Sequence, residues 1–212
     1  MVQDGRPGKT SNWRMKTTRM DRVNQLRATL FHLRESPSRR EAASTYIRVN
    51  VAGADMQMYE EGRLVRAHRV VVGNNDIEGN RERWQQGHLN RTPLMKTELY
   101  EVVVNPVWIV PKRIHSGEFA GKSSGYLQSK GIHSKGSVLV QSAGRHNVLG
   151  HVKFLLKNTN AVYMHDTNRR HLFYTDDRYR SHGCMRVSEA VELARYILRT
   201  RLNVTDAEFD AV

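Results

Sequence analysis

From residue 45 onward the chain is a succession of short β-rich runs broken by turn residues, and this limits the folds open to it more than any other feature. TYIRVNVA, DMQMYE and LVRAHRVVVG follow one another closely, the last two joined by Glu61-Gly62, a pair suited to a tight hairpin turn. A polar stretch runs from Gly73-Asn74-Asn75 to about Arg91. TELYEVVVNPVWIVP then resumes strand character, with Pro106 and Pro111 marking its limits. GSVLVQSA, HVKFLLKN and AVYMHDT add three strand candidates, and VSEAVELARYILRTRL ends the fold as a helix, with Ser188 placed to cap it. The fold class is mainly β with flanking helices (α+β), the sheet mostly antiparallel.

Ahead of these strands, Met20, Val23, Leu26, Leu30 and Leu33 recur at three to four residues, which predicts an amphipathic helix ending near Ser36-Pro37. A chain of 212 residues with 39% hydrophobic residues builds one ordinary core and a small appendage. Three regions follow: a flexible basic arm over 1–18, an N-terminal helical brace over 19–44, and one domain over 45–212. Within that domain, residues 112–135 (KRIHSGEFAGKSSGYLQSKGIHSK) are rich in Gly and Ser and show no period, as in the long connections that serve as lids.

The formal net charge of +13 attracts polyanions without choosing among them. A nucleic-acid module would interleave its basic face with stacking aromatics, and no such pattern is present, so nucleic acid is not an expected partner. No apolar run approaches the roughly 18 residues that cross a bilayer, and MVQDGRPGKTSNWRMK lacks the apolar centre of a secretory signal. A single cysteine excludes an internal disulfide and a multi-cysteine zinc module. His165, His171, His182 and Cys184 lack the paired close spacing of structural zinc ligands, so neither metal nor cofactor is expected.

That leaves Cys184 as a buried small hydrophobe, an incidental residue or a nucleophile, and its surroundings favour the last. In YMHDTNRRHLFYTDDRYRSHGCMRV a histidine ends a predicted strand, and Ser181-His182-Gly183-Cys184 sits just before the last helix. A thiol becomes a strong nucleophile when a nearby base or positive field favours its thiolate, and histidines and arginines crowd this cysteine in sequence. Gly183 lets main chain approach a reacting carbonyl closely, as an oxyanion site made of N–H groups requires.

His165, fifteen intervening residues, then Ser181-His182-Gly183-Cys184 resembles the signature of the L,D-transpeptidase (YkuD-type) catalytic domain. IRVNVAG, RVVVG, VVVNPVWIVPKRI, GRHNVLGHVKF and VYMHDT are similar, in the same order, to segments of its larger Gram-negative members. Where many members follow the cysteine with an apolar residue and Asn, this chain has Met185 and then Arg186-Val187, and the Gram-negative subgroup it resembles commonly carries Arg-Val there. The resemblance implies an L,D-transpeptidase-type β-sandwich in which 112–135 is a short capping segment. It implies Cys184 as nucleophile, His165 as general base, the main-chain carbonyl of Asp166 as the group orienting that imidazole, and Gly183, Cys184 and His182 around the oxyanion. Ser181, Arg186, Arg180, Tyr163 and Trp108 are the substrate-binding candidates.

The implied reaction is acyl transfer from a tetrapeptide stem of peptidoglycan to the amine of an acceptor stem, with D-alanine released and a 3→3 or 1→3 cross-link formed. Transfer to water would make the protein an L,D-carboxypeptidase. A purely hydrolytic Cys/His peptidase is the alternative, although such enzymes usually place cysteine before histidine in the chain. Carbapenem-type β-lactams are the expected covalent inhibitors. Access to peptidoglycan implies a periplasmic or wall-associated protein whose export signal is absent from this chain.

Overall fold

The structure is a computed structural model and describes residues 18–20, 22–24, 26–27, 30, 45–74 and 90–212. The basic arm up to residue 17, the predicted helix end near Ser36-Pro37 and the polar stretch over 75–89 lie outside the described residues. Two compact units are present, one of Met1–Tyr46 with Tyr59–Leu64, the other of Ile47–Met58 with Val65–Val212. In the first, the described positions from Arg19 to Leu30 are helical, and Met20, Val23, Leu26 and Leu30 are exposed. Glu61 and Gly62 both take positive φ, 46° and 74°, as the twist of a two-residue hairpin turn requires.

The strands are β1 Thr45–Asn50, β2 Asp55–Glu60, β3 Arg63–Gly73, β4 Leu99–Val104, β5 Trp108–Ile109, β6 Ile132–Lys135, β7 Val138–Gln141, β8 Val152–Leu156, β9 Met164–His165, β10 Tyr179–Ser181 and β11 Met185–Val187. Among the described residues the larger sheet has the order β1-β2-β3-β11-β9-β8-β4, with β10 also paired to β3, and a smaller sheet has the order β5-β7-β6. Most pairings are antiparallel as predicted, including β4 with β8, β8 with β9 and β11 with β3. Two are parallel, β11 with β9 and β10 with β3, and both involve the Ser181–Cys184 region.

Alternation along β8 sends Val152 and Phe154 inward, each 0% exposed, to meet Met56, Met58, Val70 and Val72 in the main core. Helix α3 (Ala190–Leu202; α1 and α2 lie earlier, at Lys112–Ile114 and Ser124–Ser129) covers this core with Ala190, Leu193 and Ala194, spaced as one helical face. A second cluster of Trp108, Val110, Ile132, Leu139 and Leu149 surrounds the smaller sheet. No helix among the described residues is long and apolar enough to cross a membrane.

Three local predictions are corrected. Ser188 does not cap α3: the cap position is Glu189, at φ 50° with no side-chain bond, while Ser188 Oγ accepts from Arg69 N–H at 2.9 Å and Ser188 N–H donates to Arg69 O. The β3 edge, left open where β11 ends, claims that hydroxyl first. The chain does not end with α3 but adds α4 (Asp206–Asp210), whose capping box pairs Thr205 with Glu208, a Thr-x-x-Glu signal visible in the sequence. Residues 112–135 are largely regular, broken only at 120–123 and 130–131: α1, a π-helix over His115–Phe119, α2 started by the Ser123 hydroxyl, and β6. Helices this short carry too little period to be read in advance.

Truncating the ring at the centre of the main core gives a direct check. Phe154→Ala is expected to lower unfolding free energy by about 3–5 kcal/mol. Urea denaturation followed by circular dichroism measures it, and a loss below about 1 kcal/mol would mean that β8 does not sit at the core's centre.

Candidate active site

The site follows from the side-chain period of two in strands. In the parallel β9–β11 pair, Met185 lies opposite Met164 and Arg186 opposite His165. The two methionines, 3% and 2% exposed, enter the main core. His165 and Arg186 must therefore share the other face, where Tyr163 and Cys184 precede the methionines by one residue. Tyr163 and His165 rings lie 5.6 Å apart, and Met185 N–H donates to the Tyr163 carbonyl, extending the pairing to the cysteine's level. On β8, Lys153 stands opposite His165 and, flanked by inward Val152 and Phe154, joins this face.

His165 is 5% exposed, and its Nδ1 donates to the main-chain carbonyl of Asp166 at 2.5 Å. A carbonyl can only accept, so the proton sits on Nδ1 and Nε2 keeps its lone pair. Burial first, then the positive charge of Arg186, lowers its pKa to about 3 against the raising effect of the Asp166 bond, and Lys153 adds the weakest lowering influence. Burial likewise pushes the Cys184 thiol up, opposed by hydrogen bonds from Tyr163 and by Lys153 and Arg186. The pair therefore rests as neutral imidazole and neutral thiol. The sulfur faces the Ala161 carbonyl at 3.9 Å.

The turn that presents Cys184 is tied on several sides. Gly183 takes φ 113°, a conformation that side chains rarely adopt. Its N–H donates to Ser181 Oγ at 3.2 Å, and that hydroxyl donates to the Cys184 carbonyl, so Ser181, 3% exposed, lies inside the turn. Gly183 O accepts from Thr92 Oγ1 at 2.8 Å, and Thr92 Oγ1 accepts from Gly73 N–H at 2.9 Å. A side chain at Gly73 would meet the Asn90 carbonyl at 1.9 Å, so only glycine admits this crossing.

Segment 112–119 fastens to the same turn. Arg113 donates to the His182 carbonyl at 3.3 Å and to Asn90 Oδ1, and His182 Nε2 lies 3.1 Å from Glu118 Oε1. The Asp166 carboxylate, 2% exposed, faces away from the imidazole and accepts from His151 N–H at 3.0 Å, with Arg170 at 3.3 Å.

The other named residues separate into three settings. Arg186 is half-buried, and its Nε is buried without a hydrogen-bond partner among the described residues. Trp108 is 7% exposed, edge-on to Phe119 in the smaller sheet's core, against which Tyr163 packs. Arg180 sits at the surface, paired to Asp177 at 3.1 Å. Lys153, Thr92, Arg113 and Glu118 also belong to this site and lie outside the motif. A signal existed for Lys153, a lone cation alternating with Val152 and Phe154. None existed for the others, which come from loops and short helices.

Residues 44–204, well over half of the chain, match the YkuD family, described as the L,D-transpeptidase catalytic domain. A Haemophilus influenzae protein named "Putative L,D-transpeptidase" is 30% identical over 174 residues, covering 71% of this chain and 33% of that protein. The chain thus spans about a third of the length of the curated relative it matches. Since the matched residues run through the strand that ends in His165 and the turn that carries Cys184, and the fold is the mainly β one the motif implied, the chain belongs to the L,D-transpeptidase (YkuD) catalytic domain family.

Proposed function

We propose that this domain is a peptidoglycan L,D-transpeptidase working through a thioester on Cys184. The observation that carries the reading is the shared face of β9 and β11, where a buried, uncharged imidazole with an open Nε2 accompanies the chain's single thiol. The S–H swings from the Ala161 carbonyl towards His165, which takes the proton as sulfur bonds to the stem carbonyl. The C–N bond to D-alanine breaks, and the imidazolium returns the proton to the departing amine. An acceptor amine then attacks the thioester, His165 removes its proton, and the thiol is restored with a 3→3 cross-link formed.

Because the Gly183 N–H is held by Ser181, the Cys184 N–H is the main-chain donor for the oxyanion, with His182 at its rim. Arg186, with an unpartnered Nε on this face, takes a carboxylate of the donor stem. Trp108 supports Tyr163 from the core instead of touching the peptide, and Ser181 shapes the turn. The reaction requires a periplasmic or wall-facing location, and a carbapenem acylates the same sulfur.

Mass spectrometry of the protein with a disaccharide-tetrapeptide tests the nucleophile. The parent is expected to give an acyl adduct on Cys184, free D-alanine and cross-linked dimer, and Cys184→Ala to be slower by about 10³-fold or more. Dimer formed at the parental rate by the alanine variant would remove Cys184 from the mechanism, whereas tripeptide without dimer would make water the acceptor.

The pH dependence is set by His165. A base whose conjugate acid has a pKa of about 3 stays competent in mild acid, so the acid limb of kcat/KM due to it is expected far below the usual histidine range. Folding responds with definite sign: the unfolded histidine binds a proton near pH 6.5 and the folded one only near 3. The stability His165 contributes is thus intact above pH 6.5 and lost as pH falls towards 3. Urea midpoints measured between about pH 7 and 4 should fall less steeply in His165→Gln than in the parent. Equal slopes would show that the imidazole is not held neutral by the fold.

A further inference from the structure

One charged group on the active face belongs to no motif. Lys153 lies opposite His165 on β8, and its Nζ stands 4.1 Å from the centroid of the Tyr163 ring, the neighbour on the diagonal. Tyr163 is in turn the polar group that most lowers the cost of negative charge on Cys184, ahead of Lys153 and Arg186. The ammonium is half-buried on the face that carries the thiol, although a lysine's four-carbon stem would let it reach water. Burial weakens its charge, and the two anionic influences that oppose this are Cys184 first and Glu101 second. The groups on the sulfur's face are Lys153 from β8, Tyr163 and His165 from β9, and Arg186 from β11, with Glu101 acting on Lys153 and Arg169 and Glu118 on Arg186. Each cation on this face has one carboxylate acting on it, Glu101 on Lys153 and Glu118 on Arg186, and Lys153 is the one stacked on the ring of Tyr163.

We propose that Lys153 is a positioning residue for the nucleophile: its ammonium, fixed over the Tyr163 ring beside His165, is the counter-charge for the negative charge that develops on Cys184. The proposal rests on Cys184 being the reacting thiol, but not on which acceptor the enzyme uses.

Alkylation of Cys184, the chain's only cysteine, by neutral iodoacetamide and anionic iodoacetate reads this charge without any peptidoglycan. Intact mass is followed from about pH 5 to 10 for the parent, Lys153→Met and Lys153→Arg. In Lys153→Met the alkylation midpoint is expected to rise by about one pH unit, and the iodoacetate-to-iodoacetamide rate ratio to fall several-fold. Lys153→Arg should keep both near parental, which a merely space-filling role for the lysine would not require. Cross-linking by Lys153→Met should fall about tenfold. An unchanged midpoint and ratio in folded Lys153→Met would overturn the proposal. Should that variant not fold, the parent decides, since its rate ratio must drop as salt is raised, and a flat response overturns the idea equally. Alkylation as expected from a parent that forms no cross-link would sink the proposed function and leave the role of Lys153 standing.

Discussion

Parallel pairing of β9 with β11 is the constraint from which the rest of the site follows, because it joins the strand that ends in His165 to the strand that begins after Cys184. The register matters as much as the pairing. With Met185 opposite Met164, both thioethers fill the main core, and alternation leaves the imidazole, the guanidinium and the thiol together on the opposite face. A slip of one residue would invert this, sending Arg186 and His165 into an apolar interior where an unpaired charge is costly. The hydrophobic demand of the methionines and the chemical demand of the site therefore select one register.

The electrostatic character of the site is a consequence of where that face lies. Papain-type sites hold a thiolate beside an imidazolium, but here burial disfavours both charges, and the cations on either side of His165 oppose its protonation further. An uncharged pair is thus the resting form, and in the proposed mechanism the proton moves only as the sulfur reacts. The same positive field of Lys153 and Arg186 that discourages an imidazolium lowers the cost of negative charge on sulfur. The Asp166 carbonyl completes the arrangement by fixing the Nδ1 tautomer, which leaves Nε2 as the basic nitrogen.

Rigidity at the turn comes from main-chain bonds more than from packing. Gly183 is held at both its N–H and its carbonyl, by Ser181 and by Thr92, and Thr92 is anchored on the end of β3 through Gly73. Segment 112–119 adds Arg113 and Glu118 to the same turn. Each bond contributes on the order of 1 kcal/mol, yet together they confine a residue at φ 113° that would otherwise sample many conformations. Contacts of this kind couple the placement of segment 112–119 to the geometry of the turn that carries Cys184.

How much of this was legible beforehand varies with the range of the interaction. The mainly β class, the Glu61-Gly62 hairpin, the last strands and the Cys184/His165 motif are written in local pattern: alternation, turn chemistry and fixed spacing act between near neighbours, and such signals survive in one dimension. The Thr205-x-x-Glu208 cap was equally local. Ser188 was misassigned because a tertiary partner, the open edge of β3, outcompeted the helix end for its hydroxyl. Only the tertiary structure could decide that Trp108 belongs to a core, that the Gly183 N–H is occupied, and that Lys153 flanks His165. Those outcomes depend on strand order and register between distant segments, set by how the whole core closes and carried by no single stretch of residues.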